Sequence, residues 1–190
     1  MKARITKQHI GIDISKADFR ACIMQRFNTD QSRVKASRNF KNTLKGYKTF
    51  ENWVLSKVSS ELPISFSLEA TGVYHENLTY YLYEKKYVVN VLLANTVKAY
   101  LKSLNVKTQT DKSDAKCIAQ MGIERNLRPW HPVSSQMRQL KQLTRERGNI
   151  QKDKTALKNQ LHALKSAHLP SKEVLKLIQQ RIKLLEKQVL

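Results

Sequence analysis

Residues 9–19 read HIGIDISKADF, a pattern from which the first strand of the fold follows. Three isoleucines, Ile10, Ile12 and Ile14, alternate in it with small or polar residues. Strict alternation is the period-two pattern of a β-strand with one apolar and one polar face. Asp13 lies on the polar face, where a carboxylate in a strand needs a partner. The stretch therefore predicts a half-polar first strand with an acidic residue near its end.

The sequence on either side of this strand predicts an α/β domain. Strands over 19–27 and 33–40, separated by the turn residues 28–30, predict an antiparallel meander with the first strand. Apolar residues at near-helical spacing then predict a helix over 43–59, and a second alternating stretch predicts a strand over 64–69. The remaining predicted elements are a helix over 74–84, a strand over 87–93, and helices over 96–104 and 111–124.

The composition changes at the two prolines Pro129 and Pro132, where we predict a domain boundary. Residues 1–130 form the predicted α/β domain, and residues 131–190 form a basic helical arm. Apolar residues recur every seven positions in the arm, and a second helix restarts after Pro170. The pattern allows two interpretations: a coiled coil that joins two copies of the chain, or a helical hairpin that packs on itself. Arg147 and Lys154 interrupt the apolar positions of this repeat, where charges weaken a tight two-stranded coiled coil. They therefore favour the hairpin or packing on a partner chain.

The charge of the chain indicates a polyanionic partner. Its 190 residues include 35 Lys and Arg against 15 Asp and Glu, a formal net charge of +20, and nucleic acid is the commonest ligand of such a protein. No stretch approaches the ~20 apolar residues of a spanning helix, and residues 1–10 lack the apolar region of a signal peptide. We therefore expect an intracellular protein without a membrane partner. Cys22 and Cys117 lack zinc-site spacing and are expected to be reduced and buried.

Four of the scarce acids lie in three short motifs: GIDISK at 11–16, LEATG at 68–72 and TDKSDA at 110–115. If the first and fourth strands are parallel neighbours, Asp13 and Glu69 lie at their carboxyl ends, where ligands bind in open α/β sheets. Asp111 and Asp114 share one face of the helix that they begin, although such acids can also serve as helix caps. Four gathered carboxylates repel one another unless divalent cations neutralise them. Two Mg²⁺ or Mn²⁺ ions ~3.5–4 Å apart would suit phosphodiester cleavage or transfer.

The stretches GIDISKADF, EATGVYHENL and TDKSDAKCIAQ together resemble the DEDD-type transposases of the insertion sequence one-ten family, which includes the pilin-gene-inverting recombinases. The resemblance implies a ribonuclease H-like fold of the Holliday-junction-resolvase type, a mixed sheet flanked by helices. It also implies that Asp13, Glu69, Asp111 and Asp114 bind the metal ions. Family members are bacterial DNA recombinases, several of which use a structured guide RNA. They carry a C-terminal domain with a nucleophilic serine, and we expect that domain to be absent from residues 1–190. The expected location is the bacterial cytosol or nucleoid, and the arm is expected to join copies of the chain.

Four lysines near the last acidic motif are candidates for contacts with backbone phosphates: Lys98, Lys102, Lys107 and Lys112. Two rival interpretations stay open. One is a non-catalytic module that binds RNA or DNA and dimerises. The other takes residues 11–15 as the phosphate-binding hairpin of an actin-like or sugar-kinase ATPase, although residues 15–18 lack the glycine of such a turn and the chain is short for two lobes.

Overall fold

The computed structural model describes residues 3–104 and 111–188, and of residues 111–113 it describes the backbone alone. The chain divides into two compact units, residues 1–132 and residues 133–190. The first unit opens with three antiparallel strands, β1 (Ile5–Ile14), β2 (Asp18–Phe27) and β3 (Ser32–Lys41). The predicted meander is therefore confirmed.

The rest of the first unit alternates helices and strands in the predicted order. Thr43 caps the first helix, because its side chain accepts a hydrogen bond from the Gly46 amide. That helix ends at residue 55, earlier than the predicted 59. The elements are α1 (Leu44–Leu55), β4 (Ser65–Glu69), α2 (Glu76–Glu84), β5 (Val88–Leu92), α3 (Ala94–Ser103) and α4 (Asp111–Glu124).

The five strands form one mixed sheet in the order β3-β2-β1-β4-β5. β4 lies beside β1 and runs parallel to it, and β5 runs parallel to β4. This strand order, with an antiparallel meander and two added parallel strands, is the ribonuclease H-like sheet that the resemblance implies. The predicted fold class is confirmed.

The two faces of the sheet are packed differently. One face holds the main apolar core, in which Ile10 and Ile12 of β1 pack with Phe50 of α1 and Leu82 of α2. The other face is covered by α4, and its apolar contacts are made by small or slender side chains such as Cys22 and Ala115. Cys22 and Cys117 are free and buried, as expected. The second face therefore holds fewer large apolar side chains than the first.

The second unit consists of two helices, α5 (Ser135–Lys165) and α6 (Lys172–Gln188). They pack against each other through the buried side chains of Leu157, Ile178 and Ile182. Leu140 and Leu143 in the first half of α5 are exposed. The unit thus contains the self-packed hairpin that was one of the two interpretations of the arm, and a contact with a second copy stays a prediction. Within the described residues, no helix is long and apolar enough to cross a bilayer.

Candidate acidic site on the face covered by α4

One sheet face carries polar side chains from the two central strands. β1 and β4 are parallel neighbours in which Gly11 lies opposite Ser67. Residues 9, 11 and 13 of β1 therefore share a face with residues 65, 67 and 69 of β4, because side chains alternate along a strand. His9 shows this directly, since its ring nitrogens lie 2.7 Å from the hydroxyls of Ser65 and Ser67.

The register places two of the predicted acids side by side at the strand ends. Asp13 is the penultimate residue of β1 and Glu69 is the last residue of β4. Ile12 lies opposite Leu68, so continuing the register by one residue puts Asp13 level with Glu69. Neighbouring strands lie roughly 4.8 Å apart. Both side chains are half-buried, so an ion from solvent can reach the carboxylates. The parallel pairing that the sequence argument required is present.

Helix α4 crosses this face in direct backbone contact with β1. A Cβ atom added to Gly11 would lie 2.3 Å from the carbonyl oxygen of Ala115 and 2.2 Å from the amide nitrogen of Ala119. Only glycine allows this approach. Asp114 precedes Ala115 and is half-buried. The first turn of α4, with Asp114, therefore begins on the same sheet face as Asp13.

Of the remaining predicted site residues, the structure describes some in full, some by their backbone alone and one not at all. Asp111 is the first residue of α4, but its side chain and that of Lys112 lie outside the described part of the structure. Lys107 lies outside the described residues altogether. Lys98 and Lys102 are exposed on α3. Among the described side chains, no three His, Cys, Asp or Glu groups are close enough together to hold a metal ion.

The donor set nevertheless fits a hard divalent cation. The register sets two carboxylates side by side at the carboxyl ends of neighbouring central strands, and a third acid, Asp114, lies in the first turn of the covering helix. Carboxylate oxygens are the ligands that Mg²⁺ and Mn²⁺ prefer. Burial raises the pKa of the Cys117 thiol, and the negative charge of Asp114 raises it further.

His9 is a residue of this face that the sequence analysis did not single out. It is 2% exposed, and burial, followed by the charge of Lys7, lowers its pKa to about 3. The ring is therefore neutral at pH 7. A Cβ atom added to Gly122 of α4 would lie 2.1 Å from the ring, so the helix packs tightly on it. The available sequence signal was the spacing His9, Gly11, Asp13 along one strand face.

Asn42 connects the two loops that follow the acidic strands. Its side-chain amide donates to the carbonyl of Ser15, after β1, at 2.9 Å and to the carbonyl of Tyr74, after β4, at 3.1 Å. The hydroxyl of Tyr47 donates to the Asn42 side-chain oxygen. Gly72, in the second loop, has a φ of +53°, a conformation that glycine adopts without strain. These contacts hold together the ends of both strands that carry the acids.

The sequence matches the model of a known protein family. The family model described as a transposase, of the DEDD type and the IS110 group, matches residues 10–170. The chain belongs to this transposase family.

Two curated relatives make the similarity more specific. The chain is 32% identical over 143 residues to the pilin gene-inverting protein of Moraxella bovis, and it has the same identity over the same length to that of Moraxella lacunata. Each alignment covers 75% of this chain and 42% of the relative. The chain thus spans less than half the length of these curated relatives.

Two solved structures resemble the chain more distantly. RuvC of Thermus thermophilus, in complex with a Holliday junction substrate, has a TM-score of 0.47 at 12% identity, covering 65% of this chain and 100% of RuvC. The fowlpox virus Holliday junction resolvase has a TM-score of 0.42 at 12% identity, covering 62% of this chain and 96% of the resolvase.

Proposed function

We propose that residues 1–130 are the catalytic domain of a DNA transposase or recombinase that cuts or transfers phosphodiester bonds with the help of divalent metal ions. One observation carries the proposal. In a chain that belongs to a transposase family, the parallel register of β1 and β4 sets Asp13 level with Glu69, on the face covered by the helix that carries Asp111 and Asp114.

The proposed role of the four acids, Asp13, Glu69, Asp111 and Asp114, is to hold two Mg²⁺ or Mn²⁺ ions. Bound ions of this kind supply activation of the attacking oxygen and stabilisation of the leaving oxygen. The acids themselves orient the reacting phosphate by fixing where positive charge can sit. Asn42 contributes by holding the loops after β1 and β4, so that the two strand ends keep their relative position.

The net charge of +20 supports nucleic acid as the partner. We propose DNA as the substrate, a structured guide RNA as a second partner, and an intracellular, cytosolic location. Lys98, Lys102, Lys107 and Lys112 are proposed to contact backbone phosphates. The arm is proposed to join copies of the chain, through helix faces that include the exposed Leu140 and Leu143.

The first experiment compares Asp13→Asn with Asp30→Asn. Both variants remove one negative charge and keep the side-chain size. Asp30 lies in the turn between β2 and β3 with a φ of 60°, which asparagine also adopts, and its ion pair with Arg26 is exposed. It is therefore a matched control away from the site.

Metal affinity is measured by titration calorimetry with Mg²⁺, because metal binding requires only the proposed ligands, all of which belong to this chain. Losing an outer-shell partner of a metal already costs about 10- to 100-fold in affinity. We therefore expect Asp13→Asn to weaken Mg²⁺ binding more than tenfold and to abolish Mg²⁺-dependent strand cleavage, while Asp30→Asn changes neither. Wild-type Mg²⁺ binding by Asp13→Asn contradicts the proposal.

The second candidate function is a non-catalytic module that binds nucleic acid, which the net charge favours by itself. The same titration separates the two. Absence of Mg²⁺ affinity in the wild-type chain, together with tight RNA binding that weakens steeply with salt, selects the module.

A further inference from the structure

Beside the acidic site lies a cation whose position is fixed by the sheet. Arg20 of β2 is the direct antiparallel partner of Asp13 in β1. Directly opposite residues in an antiparallel pair have Cβ atoms about 4.5–5.5 Å apart and point to the same face. Arg20 is therefore the immediate neighbour of Asp13 on the side away from Glu69, and like Asp13 it is half-buried.

The guanidinium of Arg20 is oriented by two neutral groups of the edge strand β3. Its Nε donates to the Ser37 hydroxyl at 3.2 Å, and one of its terminal nitrogens donates to the Asn39 side-chain oxygen at 3.1 Å. The Ser37 hydroxyl in turn donates to the carbonyl of Ala21 at 3.0 Å, which leaves its oxygen as the acceptor for Arg20. These two bonds use two of the five N–H groups of an arginine and do not neutralise its charge.

A second cation, Lys116 of α4, follows Ala115, which packs in one cluster with Cys22 on this face. Cys22 follows Arg20 by two residues on the same face of β2. Burial raises the pKa of the Cys22 thiol to about 11, and the charges of Lys116 and Arg20 oppose this rise. Both positive charges therefore act on one thiol group from the strand and from the helix. Lys116 is exposed, so its ammonium group can reach a ligand at the surface.

We propose that Arg20 and Lys116 form a phosphate-binding site for the DNA strand that the acidic site cuts. The proposal rests on the proposed function and adds to it where the strand lies, on the β2 side of Asp13. The carboxylates repel a phosphodiester, and a fixed guanidinium next to them offsets this repulsion. The forked geometry of arginine also matches two phosphate oxygens, and its anchoring by Ser37 and Asn39 lowers the entropy lost on binding.

The test compares Arg20→Ala and Lys116→Ala with the control Arg38→Ala. Arg38 lies on the same pair of strands, opposite Ala21, but on the other sheet face, where its guanidinium lies 5.4 Å from the centre of the Phe40 ring. All three variants remove one positive charge. Their affinities for a fluorescent DNA duplex are measured by anisotropy in EDTA between 50 and roughly 200 mM salt.

We expect each site variant to reduce the slope of log affinity against log salt by about 0.9, the contribution of one phosphate contact in duplex DNA. The same slope corresponds to an affinity loss of about eightfold at 0.1 M salt. Arg38→Ala is expected to leave the slope unchanged. Arg20→Lys keeps the charge and should keep the salt slope, but its affinity should fall because lysine lacks the forked geometry. Thermal melting verifies that each variant is folded.

The proposal is overturned if Arg20→Ala binds DNA like the wild type or loses no more affinity than Arg38→Ala. A loss confined to an RNA of the same sequence overturns the assignment to DNA. Mg²⁺ titration keeps this result separate from the proposed function: Arg20→Ala removes a positive charge beside Asp13 and should bind Mg²⁺ at least as tightly as the wild type. If the wild-type chain binds no Mg²⁺, the proposed metal site is wrong. The salt dependence of DNA binding still tests the phosphate site independently.

Discussion

Replacing Gly11 by alanine should separate α4 from β1 and so disturb the acidic site. The added Cβ would lie 2.2 Å from the amide nitrogen of Ala119, and ordinary contact begins at 3.4 Å, so the helix must shift by about 1.2 Å. The obstructing atoms belong to the helix backbone and cannot rotate away. Overpacking of this kind costs about 1–3 kcal/mol. A displacement of about 1 Å at a reacting group can lower the rate about 100-fold.

The measurement is urea unfolding of Gly11→Ala followed by Mg²⁺ titration of the folded variant. Gly148→Ala is the control, since nothing lies within 4 Å of its added Cβ and an exposed helix gains about 0.5–1 kcal/mol from this change. We expect a lower unfolding midpoint and weaker Mg²⁺ binding for Gly11→Ala, and a slightly higher midpoint for Gly148→Ala. If Gly11→Ala unfolds at the wild-type midpoint and binds Mg²⁺ normally, the close contact between Gly11 and α4 does not support the acidic site.

The other predictions concern His9 and the hairpin. The pKa of His9 is lowered from 6.5 to about 3 in the folded protein, so the unfolded chain binds an extra proton below pH 6.5. The free energy of unfolding should therefore fall as the pH decreases between these values, by up to about 1.4 kcal/mol per pH unit from this residue. In urea unfolding, His9→Asn should show a weaker dependence of this free energy on pH. An equally steep dependence in that variant would exclude His9 as its source. In the hairpin, Ile178 is 4% exposed and Leu177 is 59% exposed. Ile178→Ala should destabilise the arm by about 2–4 kcal/mol and Leu177→Ala by less than about 1 kcal/mol. The measurement is the thermal loss of helical circular dichroism. Equal melting temperatures of the two variants would contradict the packing of α5 on α6 through Ile178.

The placement of Asp13 and Glu69 was predictable because it follows from local patterns. Each acid follows two or three alternating apolar residues, which fix the strand face. The meander and the later parallel strand then leave few arrangements of the sheet. Helix α1 shows where such patterns mislead: the apolar period runs on to Val58, although the helix ends at Leu55. Val58 still packs on the core, so its hydrophobicity reflects burial and not helix length.

The roles of His9, Gly11 and Arg20 could not be predicted from local patterns. Each depends on a partner that is distant in the chain: the serines of β4 for His9, the backbone of α4 for Gly11, and the polar residues of β3 for Arg20. The β2/β3 register also shifts at Ile23/Met24, so pairing across this edge is not a simple count along two strands. Such contacts are set by tertiary packing.

The face under α4 sorts its polar groups by charge, and this sorting explains why the acids stand at the strand ends. The fully buried polar groups beneath the helix are neutral and bonded to each other, as in His9 with Ser67. Asp13 and Glu69 lie one pleat further along the strands and are half-buried. A carboxylate at position 11 or 67 would be enclosed by α4 and would bind a proton instead of a cation, because burial disfavours the charged form. The last inward position of each strand is therefore the place where a carboxylate is both fixed by the sheet and accessible to solvent.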